Sequence, residues 1–194
     1  MKATAVVLAA GEARRMGRQK MLLEIGGVPM LARVLLACEC LPTVVVGAPS
    51  LRAFVEERGA RFVANAAPES GMAHSLALGD VEAEAGMPLL VLLGDKPLVT
   101  RALVERVLAG ANEVDICFPQ HEGVGGHPVY LSLRARERIA RLPRGDSIHR
   151  LRDDPTLRRR VLAISDIGAY ADIDDPAALE RLRIHVESEP PKRD

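Results

Sequence analysis

The sequence has no long apolar run and no excess of charge of one sign. Its 194 residues carry 26 basic and 26 acidic side chains, for a formal net charge of +0. Without a net charge the protein has no broad attraction for nucleic acid or membranes, so anion binding must come from local clusters. Apolar runs such as residues 88–93 are shorter than the about 20 residues that cross a bilayer. The amino terminus predicts a strand rather than a signal peptide. We therefore expect a soluble, cytoplasmic protein that binds neither nucleic acid nor membrane.

Lysine and cysteine are also scarce. Lysine occurs only at positions 2, 20, 96 and 192, so a lysine inside a motif is not part of a general background. Of the three cysteines, Cys38 and Cys40 lie two apart in a predicted helix and point to different faces, while Cys117 lies in an apolar strand. We expect buried free thiols rather than a metal or redox site.

No internal repeat or interdomain linker is evident in this 20.9 kDa chain, of which 48% is hydrophobic. We predict one domain over residues 1–186 and a disordered tail at 187–194. Strand and helix patterns alternate, which indicates an α/β fold with a mostly parallel central sheet covered by helices on both faces. Residues 114–131 interrupt the alternation with a small antiparallel excursion.

Residues 4–20 run from an apolar strand into a cationic turn. Gly11 and Gly17 allow the backbone to approach a ligand closely. Near them lie four basic side chains that repel one another unless an anion separates them: Arg14, Arg15, Arg18 and Lys20. Neither the P-loop nor the dinucleotide fingerprint fits, because Met16 and Ala13 stand where those motifs require glycine. The turn therefore predicts a site for a nucleoside triphosphate.

A second motif follows the apolar strand 89–93, where Gly94 and Asp95 end the strand. Ligands bind at the carboxyl edge of an open α/β sheet, and both motifs leave the sheet at that edge. A carboxylate there must meet water, a cation or a hydrogen-bond donor, because burying it unpaired costs several kcal/mol. A turn or helix cap before Thr100 is the alternative role for Asp95.

The two motifs resemble those of the molybdenum-cofactor nucleotidyltransferases, the MobA-like NTP transferases. Eight positions of the first signature match: Leu8, Ala9, Ala10, Gly11, Arg15, Met16, Gly17 and Lys20. Ala13 departs from it, since a Ser or Thr is usual there. The Gly-Asp-x-Pro motif at 94–97 matches the family's metal motif, although Lys96 replaces an uncharged residue. Further along, Asn65, Gly71 and Ser75 match its donor side, and Gly126, His127 and Pro128 its acceptor side.

This resemblance implies a Rossmann-like three-layer fold of the nucleotide-diphospho-sugar-transferase type. It also implies transfer of a nucleoside monophosphate to the phosphate of molybdopterin with release of pyrophosphate. Arg15 would bind the β and γ phosphates, Lys20 would neutralise charge at the transferred phosphoryl group, and Asp95 would hold Mg²⁺. The substrate-binding candidates are Leu8, Ala9, Ala10, Gly11, Gly17, Asn65, Ser75, Gly94 and His127. Transient contact with proteins that deliver or accept the cofactor is also expected.

Ala10 resembles the cytidylyl branch of the family, whereas the guanylyl branch usually has glycine there. One methyl group changes discrimination by about 1–3 kcal/mol, and we therefore expect CTP rather than GTP as the donor.

Several alternatives stay open. Asn65 and Ser75 also fit a loop with helix-capping residues, and His127 fits an ordinary hairpin tip. Asp146 fits a helix N-cap better than a ligand, as do Asp172 and Asp174. Lys96 fits either a phosphate contact or a solvated side chain. At the level of function, the alternatives are a nucleotidyltransferase with another phosphorylated acceptor and a non-catalytic nucleotide-binding module. An oxidoreductase fits the motifs least.

Overall fold

The computed structural model describes residues 2–10 and 20–171. The strands found there are β1 (Thr4–Ala9), β2 (Glu24–Ile25), β3 (Val28–Pro29), β4 (Thr43–Gly47), β5 (Arg61–Ala64), β6 (Leu89–Leu93), β7 (Ile116–His121), β8 (Val124–Gly125), β9 (Val129–Leu131) and β10 (Arg159–Ala163). The helices are α1 (Met30–Ala37), α2 (Arg52–Glu56), α3 (Gly71–Glu82), α4 (Arg101–Gly110), α5 (Leu133–Arg136) and α6 (His149–Arg152). In this part of the chain no helix is long and apolar enough to span a membrane.

The central sheet has the order β10-β7-β9-β6-β1-β4-β5, with β8 paired to β7. Strand β1 pairs in parallel with both β4 and β6, and β4 pairs in parallel with β5. Strand β9 runs antiparallel to its neighbours β6 and β7, while β10 is parallel to β7. The predicted α/β fold, with a mostly parallel sheet and a small antiparallel excursion, is confirmed.

Side chains of β1 alternate between the two faces of the sheet, as the two-residue period of a strand requires. Val6 and Leu8 belong to one apolar core together with Leu76 of α3. Val7 belongs to the core on the other face, together with Leu31 of α1. Because β1 is buried on both faces, its sequence is a continuous apolar run rather than an alternating one.

Helix α3 packs unusually close to the sheet because of Gly79. A Cβ added at Gly79 would lie 2.5 Å from Val6 Cγ1 and 3.1 Å from Val46 Cγ2. The carboxyl end of α3 is held by Arg136, whose guanidinium donates to the carbonyls of Asp80, Glu84 and Met87 and pairs with the Asp80 carboxylate. Arg136 therefore fixes the chain between α3 and β6.

Residues 133–142 have an amphipathic, arginine-rich pattern that predicts one helix with a solvated face, and the structure differs from this prediction,. The helix ends at Arg136, and a separate 3₁₀ turn covers Ile139–Arg141. Arg136 is directed toward the end of α3 and its side chain is only 13% exposed. Arg136 is therefore largely buried against α3, whereas Arg134 of the same short helix is 54% exposed.

The cysteine prediction is correct for two of three residues. Cys38 and Cys117 are buried, but Cys40 is exposed. Helix α1 ends at Ala37, so Cys38 and Cys40 follow the helix rather than belong to it. Residues 172–194, including the predicted tail at 187–194 and the end of the predicted domain, lie outside the described residues.

Candidate functional site

Strands β1 and β6 end side by side and bring the two motifs together. The register pairs Leu8 with Leu93, so the chain leaves both strands at the same edge of the sheet. From this edge the Lys20 ammonium reaches the Asp95 carboxylate, with 3.0 Å between Nζ and Oδ2. The structure thus confirms that the end of the cationic turn and the acid after β6 share one place.

The two members of this pair differ in their exposure to solvent. The Lys20 side chain is 9% exposed, whereas the Asp95 side chain is 25% exposed and still reaches solvent. Thr100 caps helix α4 by accepting a hydrogen bond from the Leu103 N–H at 3.2 Å. Thr100, not Asp95, therefore caps this helix, and the carboxylate of Asp95 faces Lys20 instead.

Asp95 suits a hard cation held mainly by a substrate. Mg²⁺ bound with nucleotides commonly uses one or two carboxylates, with phosphate and water oxygens filling the remaining positions. Within residues 2–10 and 20–171, no three His, Cys, Asp or Glu side chains are grouped to hold a metal by themselves. One partly exposed carboxylate beside a lysine therefore fits a metal that arrives with a polyphosphate.

Gly94 is required by close packing at the end of β6. Its N–H donates to the Leu8 carbonyl at 2.9 Å. A Cβ at Gly94 would lie 2.9 Å from Met21 Sδ and 3.1 Å from Ala9 Cβ. Leu8 and Ala9 are also buried, so a ligand at this edge would meet the backbone of these residues rather than their side chains. Ala10, the next residue, is half-buried.

Asn65 and Ser75 form a buried polar pair at the same edge, beyond β4. Asn65 Nδ2 donates to Ser75 Oγ at 3.0 Å, and Asn65 Oδ1 accepts from the Ala67 N–H at 2.9 Å. Ser75 lies in the second turn of α3 and does not cap the helix. The pair therefore fixes the loop after β5 against α3, and its role toward a substrate stays a prediction.

Two glycines join the donor and acceptor sides of the edge. Gly71 adopts φ +86°, and a Cβ there would lie 2.9 Å from Gly145 Cα. The Gly145 N–H donates to the Ser70 carbonyl, and the Ala73 N–H donates to the Asp146 carbonyl, each at 3.0 Å. The predicted N-cap role of Asp146 is wrong, because Ile148 precedes α6 and the Asp146 carboxylate pairs with Arg150 at 3.2 Å.

His127 and Lys96 are buried on the acceptor side. The Lys96 ammonium donates to the Tyr170 carbonyl at 2.9 Å, so this side chain is not directed into solvent. His127 is 7% exposed, and its Nε2 is buried with no hydrogen-bond partner. Burial lowers the pKa of His127 to about 3, and the charges of Lys96, Arg152 and His149 act in the same direction. The imidazole is therefore neutral at physiological pH.

Arg152 was not recognised from sequence as a site residue. It is 4% exposed, and its Cζ lies 5.0 Å from the centre of the Phe118 ring. Since it follows an arginine-rich segment at the end of the short helix α6, no sequence pattern distinguishes it from a solvated arginine. Arg15, Gly11 and Gly17 lie outside the described residues, as do Asp172 and Asp174.

The sheet order and the charged edge define a nucleotide-binding α/β protein, with a lysine–aspartate pair at the carboxyl ends of two adjacent parallel strands. Comparison with known families identifies it further. Residues 5–161 match the family described as the MobA-like NTP transferase domain. The chain belongs to this family, which confirms the resemblance seen in the motifs, and it is a nucleotidyltransferase by class.

Curated relatives agree over most of the chain. A probable molybdenum cofactor guanylyltransferase from Pelotomaculum thermopropionicum is 27% identical, covering 97% of this chain and 95% of the relative. The molybdenum cofactor guanylyltransferase of Rhodobacter capsulatus is 33% identical, covering 76% and 75%. The nicotine blue oxidoreductase of Paenarthrobacter nicotinovorans is 29% identical, covering 92% and 95%. The relatives therefore do not all carry one named activity.

Solved structures show the same fold. The manganese complex of Rv0371C from Mycobacterium tuberculosis H37Rv has a TM-score of 0.78 at 22% identity, covering 97% of this chain and 100% of the other. At this identity, the likeness supports the fold alone.

Proposed function

We propose that this protein transfers the cytidylyl group of CTP to the phosphate of molybdopterin and releases pyrophosphate. The observation that carries the proposal is the Lys20–Asp95 contact of 3.0 Å at the edge where β1 and β6 end. A cation and a carboxylate at one sheet edge match the two charges that a metal-bound triphosphate requires. Family membership and the names of two relatives support this reaction class.

In this mechanism, the site positions the substrates and neutralises charge. A phosphate of the acceptor attacks the α-phosphorus in line, and because it is already anionic it requires no strong base. Lys20 stabilises the charge that develops around the transferred phosphoryl group, and Arg15 binds the β and γ phosphates. Asp95 would hold Mg²⁺, which supplies Lewis-acid stabilisation of the phosphate oxygens. A manganese complex of a protein with the same fold supports a divalent metal.

GTP is the second candidate donor. The two molybdenum cofactor relatives are named guanylyltransferases, whereas Ala10 favours CTP because its methyl group narrows the space beside the edge. CTP and GTP carry the same triphosphate, so the same charged side chains would bind either donor. The choice between them changes which base is recognised but not the reaction.

The acceptor is also part of the proposal. The acceptor side departs most from the family pattern, with Ser147, Ile148 and His149 in place of a Gly-Ala-Arg sequence. Another phosphorylated acceptor would leave the donor half unchanged. We assign the domain to residues 1–186, and we expect transient contacts with proteins that deliver or receive the cofactor.

The experiment is a pyrophosphate-release assay with each of four nucleoside triphosphates, with and without molybdopterin and Mg²⁺. Release should require molybdopterin and Mg²⁺ and should be fastest with CTP. Faster release with GTP would replace the donor, and release with another phosphorylated compound alone would replace the acceptor. A nicotine blue oxidoreductase is among the relatives, so flavin and nicotinamide binding should be titrated in parallel. Tight binding of either, with no release under any condition, would contradict the proposal.

A further inference from the structure

The antiparallel side of the sheet contains a buried arginine without an acidic partner. Arg152 Nη2 donates to the His149 ring, but Arg152 Nη1 is buried and has no hydrogen-bond partner. None of the carboxylates in the described ranges forms an ion pair with Arg152. A buried charge left unpaired in this way destabilises a folded protein. The fold therefore buries this guanidinium with only part of its hydrogen-bonding capacity used.

The surrounding residues keep the guanidinium in place. Its face lies on the Phe118 ring. On another side, Arg152 Nη1 lies against the backbone of Gly125, where any Cβ would collide with it. The guanidinium of Arg152 is thus held against β7 and β8, and its Nη1 atom makes no hydrogen bond.

Arg152 is also among the residues that line a cavity of about 380 Å³. This volume falls at the lower end of the range for small-molecule sites, about 300–1,000 Å³. Arg152, His149 and Arg159 line the cavity, with Asp153 as its acidic member. Arginine donors of this kind recognise phosphate and carboxylate groups through paired hydrogen bonds.

His127 does not line this cavity, but it follows the strand that contains Gly125. This residue lies two positions beyond β8, and its buried Nε2 also has no partner. The charges of Arg152 and Lys96 both act on His127, and Lys96 follows Asp95 directly. Arg152, which lies against Gly125 of β8, and His127, two positions further along the chain, therefore each contain a buried nitrogen without a partner.

We propose that Arg152 forms an anion subsite that binds a phosphate group of the acceptor substrate. The anion subsite itself is independent of the reaction, whereas its assignment to the acceptor rests on the proposed function. Free pyrophosphate also presents phosphate groups that such a subsite would bind. The test must therefore distinguish pyrophosphate from the acceptor substrate.

The binding test uses the full chain and inorganic phosphate, with Lys20→Met to weaken the donor side. Phosphate should raise the Tm of Lys20→Met, and the shift should disappear in Lys20→Met/Arg152→Met. Lys20→Met/Arg106→Met is the matched control, because it removes an exposed arginine from α4, and it should keep the shift. An equal shift in both double variants, or no shift in Lys20→Met, would overturn the anion subsite.

Stability without anion separates a binding role from a structural one. If Arg152 serves a ligand, Arg152→Met should have a Tm equal to or above that of the wild type in phosphate-free buffer, because an unpaired buried charge is removed. Arg152→Lys should recover part of the phosphate shift. A large drop in Tm for both variants, with the phosphate shift intact in Arg152→Lys, would mark Arg152 as structural.

Steady-state kinetics identify which substrate or product supplies the anion that binds Arg152. Arg152→Met should raise the KM for molybdopterin about 10- to 100-fold, the effect of losing a charge-assisted hydrogen bond. The KM for the nucleoside triphosphate should stay within about twofold, and product inhibition by pyrophosphate should not change. A rise in the nucleotide KM, or loss of pyrophosphate inhibition alone, would assign Arg152 to the donor side. If the wild type releases no pyrophosphate at all, the proposed function fails while the phosphate-binding test still decides the subsite.

Discussion

The Lys20 ammonium and the Asp95 carboxylate, 75 positions apart in the chain, lie 3.0 Å from each other. Strands β1 and β6 bring them together because both strands run in the same direction and end at the same edge. A metal-bound triphosphate supplies a cation for the carboxylate and an anion for the ammonium. Substrate binding can therefore replace this contact with two stronger ones.

The first prediction concerns this pair. Asp95→Asn removes, at nearly constant volume, the charge that we propose binds the metal, and Lys20→Met removes the cation. Each should lower kcat by about 10²–10³, the effect of deleting one charged group that acts in the transition state. The rate of pyrophosphate release measures this loss. Glu105→Gln, which breaks the exposed pair with Arg101, is the control and should retain full activity. Wild-type rates for Asp95→Asn would refute the metal assignment.

A second prediction concerns the close approach of α3 to β1. Gly79→Ala should destabilise the protein by about 1–3 kcal/mol, because the new methyl group collides with Val6,. This loss exceeds the gain of up to about 1 kcal/mol from the better helix propensity of alanine. Urea unfolding measures it. In Gly79→Ala/Val6→Ala the new methyl group occupies vacated space, so the double variant should lose less stability than the sum of the single losses. Additive losses would show that the contact relaxes freely.

The cysteines provide a third prediction. Burial raises the pKa of the thiols of Cys38 and Cys117 to about 11, and only the thiolate reacts rapidly. In native protein a thiol reagent should therefore modify Cys40 alone, whereas all three cysteines should react in denaturant. Cys40→Ser should abolish the fast phase. A second fast thiol in that variant would contradict the buried positions.

The sequence predicts local features of this fold well. The predicted strand 89–93 matches the structure at both ends, because it is an apolar run bounded by turn residues. The shared edge of β1 and β6 was also predictable, since parallel strands place their carboxyl ends together. The nearness of Lys20 to Asp95 agrees with this expectation, whereas their direct ion pair is seen only in the structure.

The burial of Arg136 and Arg152 was not predictable in this way. Arg136 bonds to Asp80, 56 positions away, and Arg152 lies on Phe118, which belongs to a different element. Their burial depends on how α5 and α6 pack across the sheet. A run of arginines has the same appearance in sequence whether its side chains are solvated or buried.

A fourth prediction follows from the buried imidazole of His127. Its pKa is lowered to about 3, while in the unfolded chain it lies near about 6.5. Between these pH values the unfolded chain binds a proton that the folded chain does not. Stability should therefore fall as the pH drops through this window, by up to about 1.4 kcal/mol per pH unit.

The measurement is urea unfolding at several pH values between 7 and 4. His127→Asn has no titrating group in this range, so it should lose less stability over the same interval than the wild type. Carboxylates titrate in both proteins, and the difference between the two curves isolates His127. Parallel curves would mean that the imidazole takes up a proton equally readily in the folded and the unfolded protein, so that burial does not lower its pKa.

The last prediction tests how the donor base is selected. Ala10 is half-buried just after β1, and under the proposed function its methyl group would narrow the space available to a base. Ala10→Gly should raise the kcat/KM for GTP relative to that for CTP by about 10- to 200-fold, the range for one methyl or methylene group in a tight pocket. Competition between the two triphosphates in the pyrophosphate assay measures this ratio. Ala53→Gly, an exposed position in α2, is the control for loss of stability and should leave the ratio unchanged.

If the ratio does not move in Ala10→Gly, other residues select the base and Ala10 carries no information about it. If the wild type already prefers GTP, the cytidylyl assignment is wrong, but the roles of Lys20 and Asp95 stand, because they act on phosphates that both nucleotides share.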